Sequence, residues 1–338
     1  MEFENKKMEK IRKLLIIILY SIAVLVVVSS ILSVFRNTES RYLKMLDFPR
    51  IQFFLVTLVC LIIVFFVFKF RYWYNYLIIF ALLLGLVING RYLINYTPFV
   101  ATTVPSQNFL NPNDELISIL IVNVKMSNRN MQPLLEQIDI KKPDLLLAME
   151  IDTWLDRQLH SIEMLYPYSK EIINEVAYGM VLYSKFPLDK LKVDYVNNKN
   201  VPLIESMLTL LNGKKVDLYC VHPVPPAHFK NLPDNEGQHE IAMKKLGKQI
   251  ESKNSPTIVM GDLNDVVWSN VDELTNTKNL LFDIRTGRGF YNSYNAENFL
   301  MRWPLDHVYV TKEFRLKKIE RLDYIGSDHF PIYVELVL

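Results

Sequence analysis

Cysteine is scarce in this chain: only two occur among its 338 residues, Cys60 and Cys220. Both lie within apolar runs, so we expect neither a disulfide framework nor a cysteine nucleophile. The sequence also contains no internal repeat and no low-complexity tract. Its length allows about two domains.

The chain also lacks a strong excess of either charge sign, since its net charge is +2. The two parts of the chain differ in the sign of their net charge. Residues 1–112 contain 12 Lys+Arg and 5 Asp+Glu (+7), whereas residues 113–338 contain 26 and 31 (−5). A protein that grips a nucleic-acid backbone usually presents a basic face. The mildly acidic second part therefore argues against DNA as its main substrate.

Three apolar runs dominate the first 90 residues, at 14–35, 51–68 and 72–89. The first two carry no charge, and roughly 20 apolar residues suffice to cross a bilayer. The third qualifies when its leading Tyr and Trp residues are counted, since these favour the membrane interface. The alternatives are a signal peptide for the first run and buried core helices for the runs in general. We predict a membrane anchor with three spans over residues 1–90.

Basic residues near these runs predict the orientation of the anchor. The N-terminal segment and the 69–76 loop together hold seven, and the 36–50 loop holds four. They are Lys6, Lys7, Lys10, Arg12, Lys13, Lys69 and Arg71 in the first group, and Arg36, Arg41, Lys44 and Arg50 in the second. We expect a cytoplasmic N-terminus, so that three spans place the rest of the chain on the extracytoplasmic side of the cell membrane.

A segment rich in Pro, Thr, Ser and Asn follows the third run, at 91–113. This composition is typical of an extended tether. Beyond it, residues 114–338 show alternating strand and helix patterns that indicate an α+β domain. Strands are predicted at 116–124, 144–149, 179–183, 216–221, 256–260, 307–310, 316–322 and 332–337, and helices at 131–138 and 236–252. The mixture favours two packed sheets with helices outside.

Polar groups end or border five of the predicted strands. They are Glu150, Val221-His222-Pro223, Gly261-Asp262-Leu263-Asn264, Asp306-His307 and Gly326-Ser327-Asp328-His329. Packing does not readily explain acid, amide and imidazole groups at five strand ends. Cleavage of a phosphate ester needs charge neutralisation, an oriented water and help for the leaving oxygen. The five groups therefore indicate one metal-assisted site of that kind.

Together with Asn123 in Ile121-Val122-Asn123-Val124, these motifs resemble those of the endonuclease/exonuclease/phosphatase superfamily, in the order of that family. The resemblance covers residues 121–338. It implies a DNase I-like fold, a four-layer α/β/β/α sandwich with two packed mixed sheets, and makes 114–338 the catalytic domain. The preceding apolar runs resemble a membrane-anchored bacterial branch.

The resemblance also implies roles for these residues. Glu150 and Asp328 are the expected metal ligands, and Asn123 would place its amide oxygen in the metal shell or in a hydrogen-bond network. The expected ion is Mg²⁺, which prefers carboxylate oxygens, with Mn²⁺ as the alternative. Asp262 would orient or deprotonate the attacking water, and Asn264 would donate to the phosphate.

Two histidines complete the expected site. His329 would donate to a phosphoryl oxygen as an imidazolium, and Asp306 would orient it. His222 would be a second imidazole facing the phosphate. We read His307, next to Asp306 on a strand, as structural because its side chain points to the other face.

The chain departs from the family pattern at two positions. Phe330 stands where many members carry Arg, and Met149 where many nucleases carry Gln. These changes affect substrate contacts and further disfavour nucleic acid. The expected substrate is a phosphodiester or phosphomonoester: a phospholipid head group, a nucleotide, an inositol phosphate or, less favoured, a nucleic acid. The alternative is a catalytically inactive binding or signalling module on the same fold, and no protein partner can be inferred.

Overall fold

The chain divides into two compact units, Met1–Asn95 and Tyr96–Leu338, in a computed structural model. It describes residues 2–36, 40–67, 72–195, 199–226, 237–253, 255–269, 273, 275 and 277–338. Lys69 and Arg71, used above to predict orientation, lie outside the described residues, as does Phe68 at the end of the second apolar run.

The first unit is helical. Its helices are α1 (Glu2–Leu32), α2 (Arg41–Met45), α3 (Arg50–Val67) and α4 (Trp73–Leu93), followed by a short 3-10 helix, Ile94–Tyr96. Three of them, α1, α3 and α4, are long and apolar enough to cross a membrane. The apolar runs predicted from the sequence overlap these helices, but α1 begins well before residue 14 and ends at Leu32, and α4 begins at Trp73 and continues past residue 89.

One buried arginine links these three helices. Arg50, the first residue of α3, is fully buried, and its Nε donates to Asp47 Oδ1 at 2.5 Å. Its Nη2 donates to the Ser33 carbonyl just after α1, at 2.9 Å. The guanidinium also lies 3.8 Å from the centre of the Tyr92 ring on α4. Because a buried charge is costly unless paired, these contacts explain how Arg50 is accommodated.

The second unit contains two six-stranded sheets. The first has the order β11-β12-β1-β2-β4-β3, and the second β5-β6-β7-β8-β10-β9. Their bounds are β1 (Leu116–Asn123), β2 (Leu145–Met149), β3 (Tyr168–Ile172), β4 (Met180–Ser184), β5 (Leu188–Asp194), β6 (Leu203–Thr209), β7 (Lys215–Val221), β8 (Thr257–Asp262), β9 (Phe282–Asp283), β10 (Asp306–Val310), β11 (Arg315–Arg321) and β12 (Ile332–Val337).

Each sheet is built around one parallel pair, β1 with β2 and β7 with β8, and its other pairs are antiparallel. The crossovers carry helices α5 (Gln132–Lys141) and α7 (Gln238–Glu251), as parallel connections require. Helix α6 (Thr153–Leu159) and a 3-10 helix, His160–Leu165, follow β2.

Buried apolar side chains of the second unit form three clusters, one between the sheets and one on the outer face of each sheet. Ile119 and Leu147 of the first sheet pack with Leu218 and Met260 of the second between the sheets. On its outer face the first sheet packs against α5 and α6, and the second packs against α7. Alternate residues of one strand serve opposite faces, which is why β1 is apolar almost throughout. The predicted α+β, four-layer sandwich is confirmed.

Residues 96–113 differ from the expected extended tether. The Tyr96 hydroxyl donates to the Val267 carbonyl at 2.5 Å, and Val104 is part of the core between the sheets. Leu316 N–H donates to the Pro105 carbonyl at 2.8 Å, and Gln107 N–H donates to the Leu316 carbonyl at 2.9 Å. Tyr96, Val104, Pro105 and Gln107 therefore pack as part of the second unit, whereas Phe99 and Phe109 stay exposed.

Candidate active site

The ends of the central strands of both sheets meet at one edge. Parallel pairing brings Asn123 at the end of β1 beside Met149 at the end of β2, with Glu150 next in the chain. In the other sheet, β7 ends just before His222 and β8 ends at Asp262, which pairs with Asp306 at the start of β10. Strand direction thus gathers the groups that the sequence placed at separate strand ends.

Gly261 lets β8 approach β7 closely just before Asp262. Its φ is +143°, and a Cβ there would lie 1.9 Å from the Val221 carbonyl oxygen. Glycine is therefore required at this position. Glu150 and Asn264 have φ values of 61° and 53°, the left-handed region that costs other residues energy. The backbone is therefore strained at Glu150 and Asn264, whereas glycine avoids that strain at position 261.

An amide connects the acidic groups of the two sheets. Asn123 Nδ2 donates to Glu150 Oε1 at 2.9 Å and to Asp262 Oδ2 at 3.1 Å. Its Oδ1 accepts the Lys125 N–H at 3.0 Å. Of the two roles expected for Asn123, the structure therefore shows the hydrogen-bond network, with its nitrogen towards the carboxylates. Glu150 Oε2 also accepts the Met126 N–H at 3.1 Å, which fixes the second oxygen.

His329 lies between two aspartates. Its Nδ1 is 2.7 Å from Asp306 Oδ2, and its Nε2 is 3.6 Å from Asp262 Oδ2. All three side chains are almost completely buried. Ser327 Oγ accepts the His329 N–H at 3.0 Å and donates to the Asn123 carbonyl at 2.7 Å. The turn that carries His329 is thereby tied to the end of β1.

These neighbours shift the ionisation of the site. Burial lowers the pKa of His329, but the charges of Asp306 and Asp262 raise it more, to a net value of about 10. Burial raises the pKa of Asp262, while the His329 imidazole opposes that rise. Burial also raises the pKa of Asp328, with His329 and Lys125 lowering it and Glu150 raising it. The electrostatics favour a charged His329 between acidic partners.

His222 faces the same carboxylate from the other side. Its Nδ1 lies 3.9 Å from Asp262 Oδ2, and the ring packs against Tyr178 with centroids 5.5 Å apart. Within the described part of the chain this buried Nδ1 has no hydrogen-bond partner. A buried nitrogen left in that state normally points to a missing ligand or water.

Asn264 and Asp328 occupy the margins of the site. Asn264 Nδ2 donates to the Pro223 carbonyl at 2.9 Å, and its N–H donates to Asp262 Oδ1 at 2.8 Å. Asn264 thus holds the loop after His222 in addition to any contact with substrate. The Asp328 carboxylate is partly exposed and lies 3.8 Å from Lys125 Nζ.

Comparison with known proteins identifies this arrangement. A model of the Endonuclease/Exonuclease/phosphatase family matches residues 120–329, more than half of the chain. The chain belongs to the endonuclease/exonuclease/phosphatase family. That membership places it among metal-dependent hydrolases that act on phosphoric ester bonds.

Solved structures agree with this fold. A TDP2 from D. rerio, complexed with a single-strand DNA product, matches with a TM-score of 0.54 and 15% identity, over 66% of this chain and 99% of that one. An endonuclease/exonuclease/phosphatase family protein from Bacteroides thetaiotaomicron matches with a TM-score of 0.51 and 16% identity, over 67% and 96%. At such low identity they show the fold alone. No curated protein matches the chain.

The acidic groups fit the divalent metal on which the family depends. Glu150 and Asp328 offer the carboxylate oxygens that a hard cation such as Mg²⁺ prefers. Among the described residues, Asp262, Asp306 and His329 also offer donor atoms within 4.8 Å of one another. In that second group, however, Asp306 Oδ2 already contacts His329 Nδ1 at 2.7 Å. We therefore read it as a hydrogen-bonded set.

The sequence did not single out Ser293 and Tyr294, and it marked Met149 only as a departure from the family pattern. Ser293 Oγ accepts the Asp306 N–H at 3.1 Å, and the Tyr294 ring packs on His329 with centroids 5.0 Å apart. Met149 Sδ accepts the Asp262 N–H at 3.3 Å. Ser293 and Tyr294 lie in a loop without periodicity, so no pattern marked them. Met149, where many nucleases carry Gln, contacts the backbone of a candidate catalytic residue.

Proposed function

We propose that this protein is a membrane-anchored phosphoesterase that uses Mg²⁺ at the edge where its two sheets meet. Glu150 and Asp328 hold the ion, and Asn123 fixes Glu150 by donating to its Oε1. When bound, the ion neutralises charge on the phosphoryl oxygens and organises water near them. The donor set, all carboxylate oxygen, supports this choice of metal.

Asp262 orients the attacking water and accepts its proton. Its Oδ2 receives a hydrogen bond from Asn123 Nδ2, and its Oδ1 receives one from the Asn264 N–H. These two donors fix the plane of the carboxylate, so that one lone pair points towards the space shared with the two histidines. Proton transfer to a positioned carboxylate is an ordinary form of general base catalysis.

His329 and His222 bind the phosphoryl oxygens. Asp306 holds Nδ1 of His329, which leaves the Nε2 proton to be donated where negative charge develops. His222 Nδ1 supplies the second contact, since it is buried beside Asp262 and has no partner among the described residues. Asn264 maintains the position of His222 through the Pro223 carbonyl.

The observation that carries this proposal is the His329 contact with Asp306 at 2.7 Å, with Asp262 3.6 Å from the other ring nitrogen. The test is hydrolysis of bis-p-nitrophenyl phosphate by the purified full-length protein in detergent with Mg²⁺. His329→Ala should lower kcat at least about a hundredfold, and Asp262→Asn should do the same.

His160→Ala is the matched control, because His160 is a half-exposed histidine on a surface 3-10 helix. It should retain wild-type activity. A wild-type protein inert towards nucleotide, nucleic-acid, inositol-phosphate and phospholipid substrates would contradict the proposal and favour an inactive binding module.

The membrane location is a further part of this proposal. Three helices have the length and composition to span a bilayer, and the second unit begins at Tyr96, three residues after α4 ends. We expect the catalytic unit on the extracytoplasmic side. In bacterial cells, alkaline phosphatase fused after Leu338 should be active and green fluorescent protein fused there should be dark. The reverse pattern would place the unit in the cytoplasm.

A further inference from the structure

A hairpin-like loop lies beside the active site. We call residues 294–303 the site loop. At its base, the backbones of Tyr294 and Trp303 pair in antiparallel fashion, and their rings stack with centroids 5.9 Å apart. Asn295 N–H donates to the Met301 carbonyl at 3.2 Å. Arg302 braces the loop by donating to the carbonyls of Asn295 and Ala296, both at 3.2 Å. The base of the loop is thus held by backbone pairing, ring stacking and the hydrogen bonds of Arg302.

The tip of this loop is apolar and exposed. Phe299 is 79% exposed, Leu300 74% and Met301 41%. Scattered apolar residues are normal on protein surfaces, but a contiguous group rimmed by polar residues marks an interaction surface. The Arg302 guanidinium lies 5.4 Å from the centre of the Phe299 ring, and most of the surface of Phe299 and Leu300 nevertheless stays exposed.

The site loop is joined to the catalytic groups. Ala296 N–H donates to the Asp328 carbonyl at 2.7 Å, and Glu297 Oε1 pairs with Lys125 Nζ at 3.0 Å. Lys125 is also 3.8 Å from the Asp328 carboxylate. Whatever the apolar tip binds is therefore held at the rim of the phosphoesterase site.

Two arginines border the same surface. The guanidiniums of Arg302 and Arg321 lie 4.9 and 4.6 Å from the centre of the Phe330 ring. Their hydrogen bonds go to backbone carbonyls, Arg302 to Asn295 and Arg321 to Asn292. Their positive charge thus remains available to an anion at this surface. Phe330, which replaces the arginine of many family members, is the platform for both.

An apolar tip next to arginines matches a phospholipid bilayer, whose surface offers acyl chains and phosphates together. A single-stranded nucleic acid would use several aromatic platforms for stacking, whereas only Phe299 of the three tip residues is aromatic. Residues 113–338 also carry a net charge of −5, from 26 Lys+Arg and 31 Asp+Glu. The three span-length helices of the same chain further favour a lipid surface.

We propose that the site loop docks on the bilayer and that the substrate is a phosphoester in the head group of a membrane lipid. This inference rests on the proposed function and specifies its substrate class. In the reaction, the oxygen of water bonds to phosphorus and one ester P–O bond breaks. The leaving oxygen takes up a proton, and the products are an alcohol and a phosphate with one ester bond fewer.

Docking itself is tested without activity. The full-length Phe299→Cys protein is labelled with an environment-sensitive fluorophore and placed in nanodiscs of phosphatidylcholine and phosphatidylglycerol in equal parts. Both native cysteines are buried, which favours labelling at position 299. Doxyl-labelled lipid should quench this fluorophore. Leu211→Cys is the control, since Leu211 is 88% exposed in the turn between β6 and β7, at the opposite end of β7 from His222. Equal quenching at both positions, or none at 299, would overturn the docking.

The substrate class is tested by comparing two kinds of ester. Full-length wild type, the double variant Phe299→Ser with Leu300→Ser, and Leu211→Ser are assayed on vesicles of phosphatidylcholine, phosphatidylethanolamine and phosphatidylglycerol. The same proteins are assayed on bis-p-nitrophenyl phosphate. The double variant should lose at least about tenfold on the vesicles, because two apolar side chains no longer insert. It should keep its rate on the soluble ester, and Leu211→Ser should keep both rates.

The remaining outcomes separate the two proposals. Equal loss on both substrates would assign the loop a structural role and overturn the inference. Hydrolysis of the soluble ester or of single-stranded DNA without hydrolysis of any vesicle lipid would overturn the lipid substrate while leaving the proposed function intact. A wild type inert on every substrate would contradict the proposed function, and the quenching experiment would still decide the docking.

Discussion

At the scale of single residues, His329 engages a different carboxylate with each ring nitrogen. Asp306 Oδ2 lies 2.7 Å from Nδ1, and Asp262 Oδ2 lies 3.6 Å from Nε2. A carboxylate on one nitrogen sets the tautomer and ring orientation of the other. We therefore assign Asp306 the role of a positioning residue, which acts on the substrate only through His329.

Replacing Asp306 with Asn tests that role. Asp306→Asn keeps the shape but removes the charge, so that His329 loses its orienting partner, and kcat on bis-p-nitrophenyl phosphate should fall on the order of a hundredfold. KM should change little, since Asp306 does not touch substrate. Asp139→Asn, at an exposed position on α5, is the control for a lost surface charge. Unchanged kcat in Asp306→Asn, with the midpoint of thermal unfolding also unchanged, would contradict the role.

The sequence predicted which residues lie near one another better than it predicted their contacts. Residue type and position at strand ends selected Glu150, Asp262 and His329, which the structure places near one edge. The orientation of the Asn123 amide depends on the Lys125 N–H. The Asn264 side chain depends on the Pro223 carbonyl, 41 positions away in the chain. Such loop contacts have no periodic signature, so the sequence alone could not resolve them.

At the scale of secondary-structure elements, strands buried on both faces could be predicted from the sequence, whereas exposed edge strands could not. The central strands β1, β2, β7 and β8 are apolar because both faces are covered. By contrast, β3 and β5 are edge strands with many exposed or half-buried residues, and neither was predicted individually. The strand β9 has only two residues, too few for any alternation to appear.

The predicted helices and the predicted linker can be compared with the structure in the same way. The predicted helix at 131–138 corresponds to α5, and that at 236–252 corresponds to α7, although Glu236 lies outside the described residues. Composition alone suggested that 91–113 is extended and free. In the structure Pro105 and Gln107 hydrogen-bond with Leu316, so a polar, proline-rich segment can still pack by adding its backbone to a sheet edge.

At the scale of the whole molecule, charge and hydropathy divide the chain as its two compact units do. The apolar helices lie before Tyr96, and the acidic α/β/β/α sandwich follows. Family membership defines the chemistry in general terms. The three helices of span length, the exposed apolar tip of the site loop and the net charge of the second part support the proposal that this chemistry acts at a membrane.

Metal dependence at the proposed ligands tests the central claim most directly. The full-length protein is stripped with EDTA, and hydrolysis of bis-p-nitrophenyl phosphate is followed as Mg²⁺ or Mn²⁺ is restored. Wild type should be inactive after EDTA and recover fully with Mg²⁺. Glu150→Gln should need at least about tenfold more metal, whereas Glu136→Gln, at an exposed position on α5, should titrate like wild type. Full activity of the stripped wild type, or a Glu150→Gln titration identical to that of wild type, would contradict a metal-dependent phosphoesterase site built on Glu150.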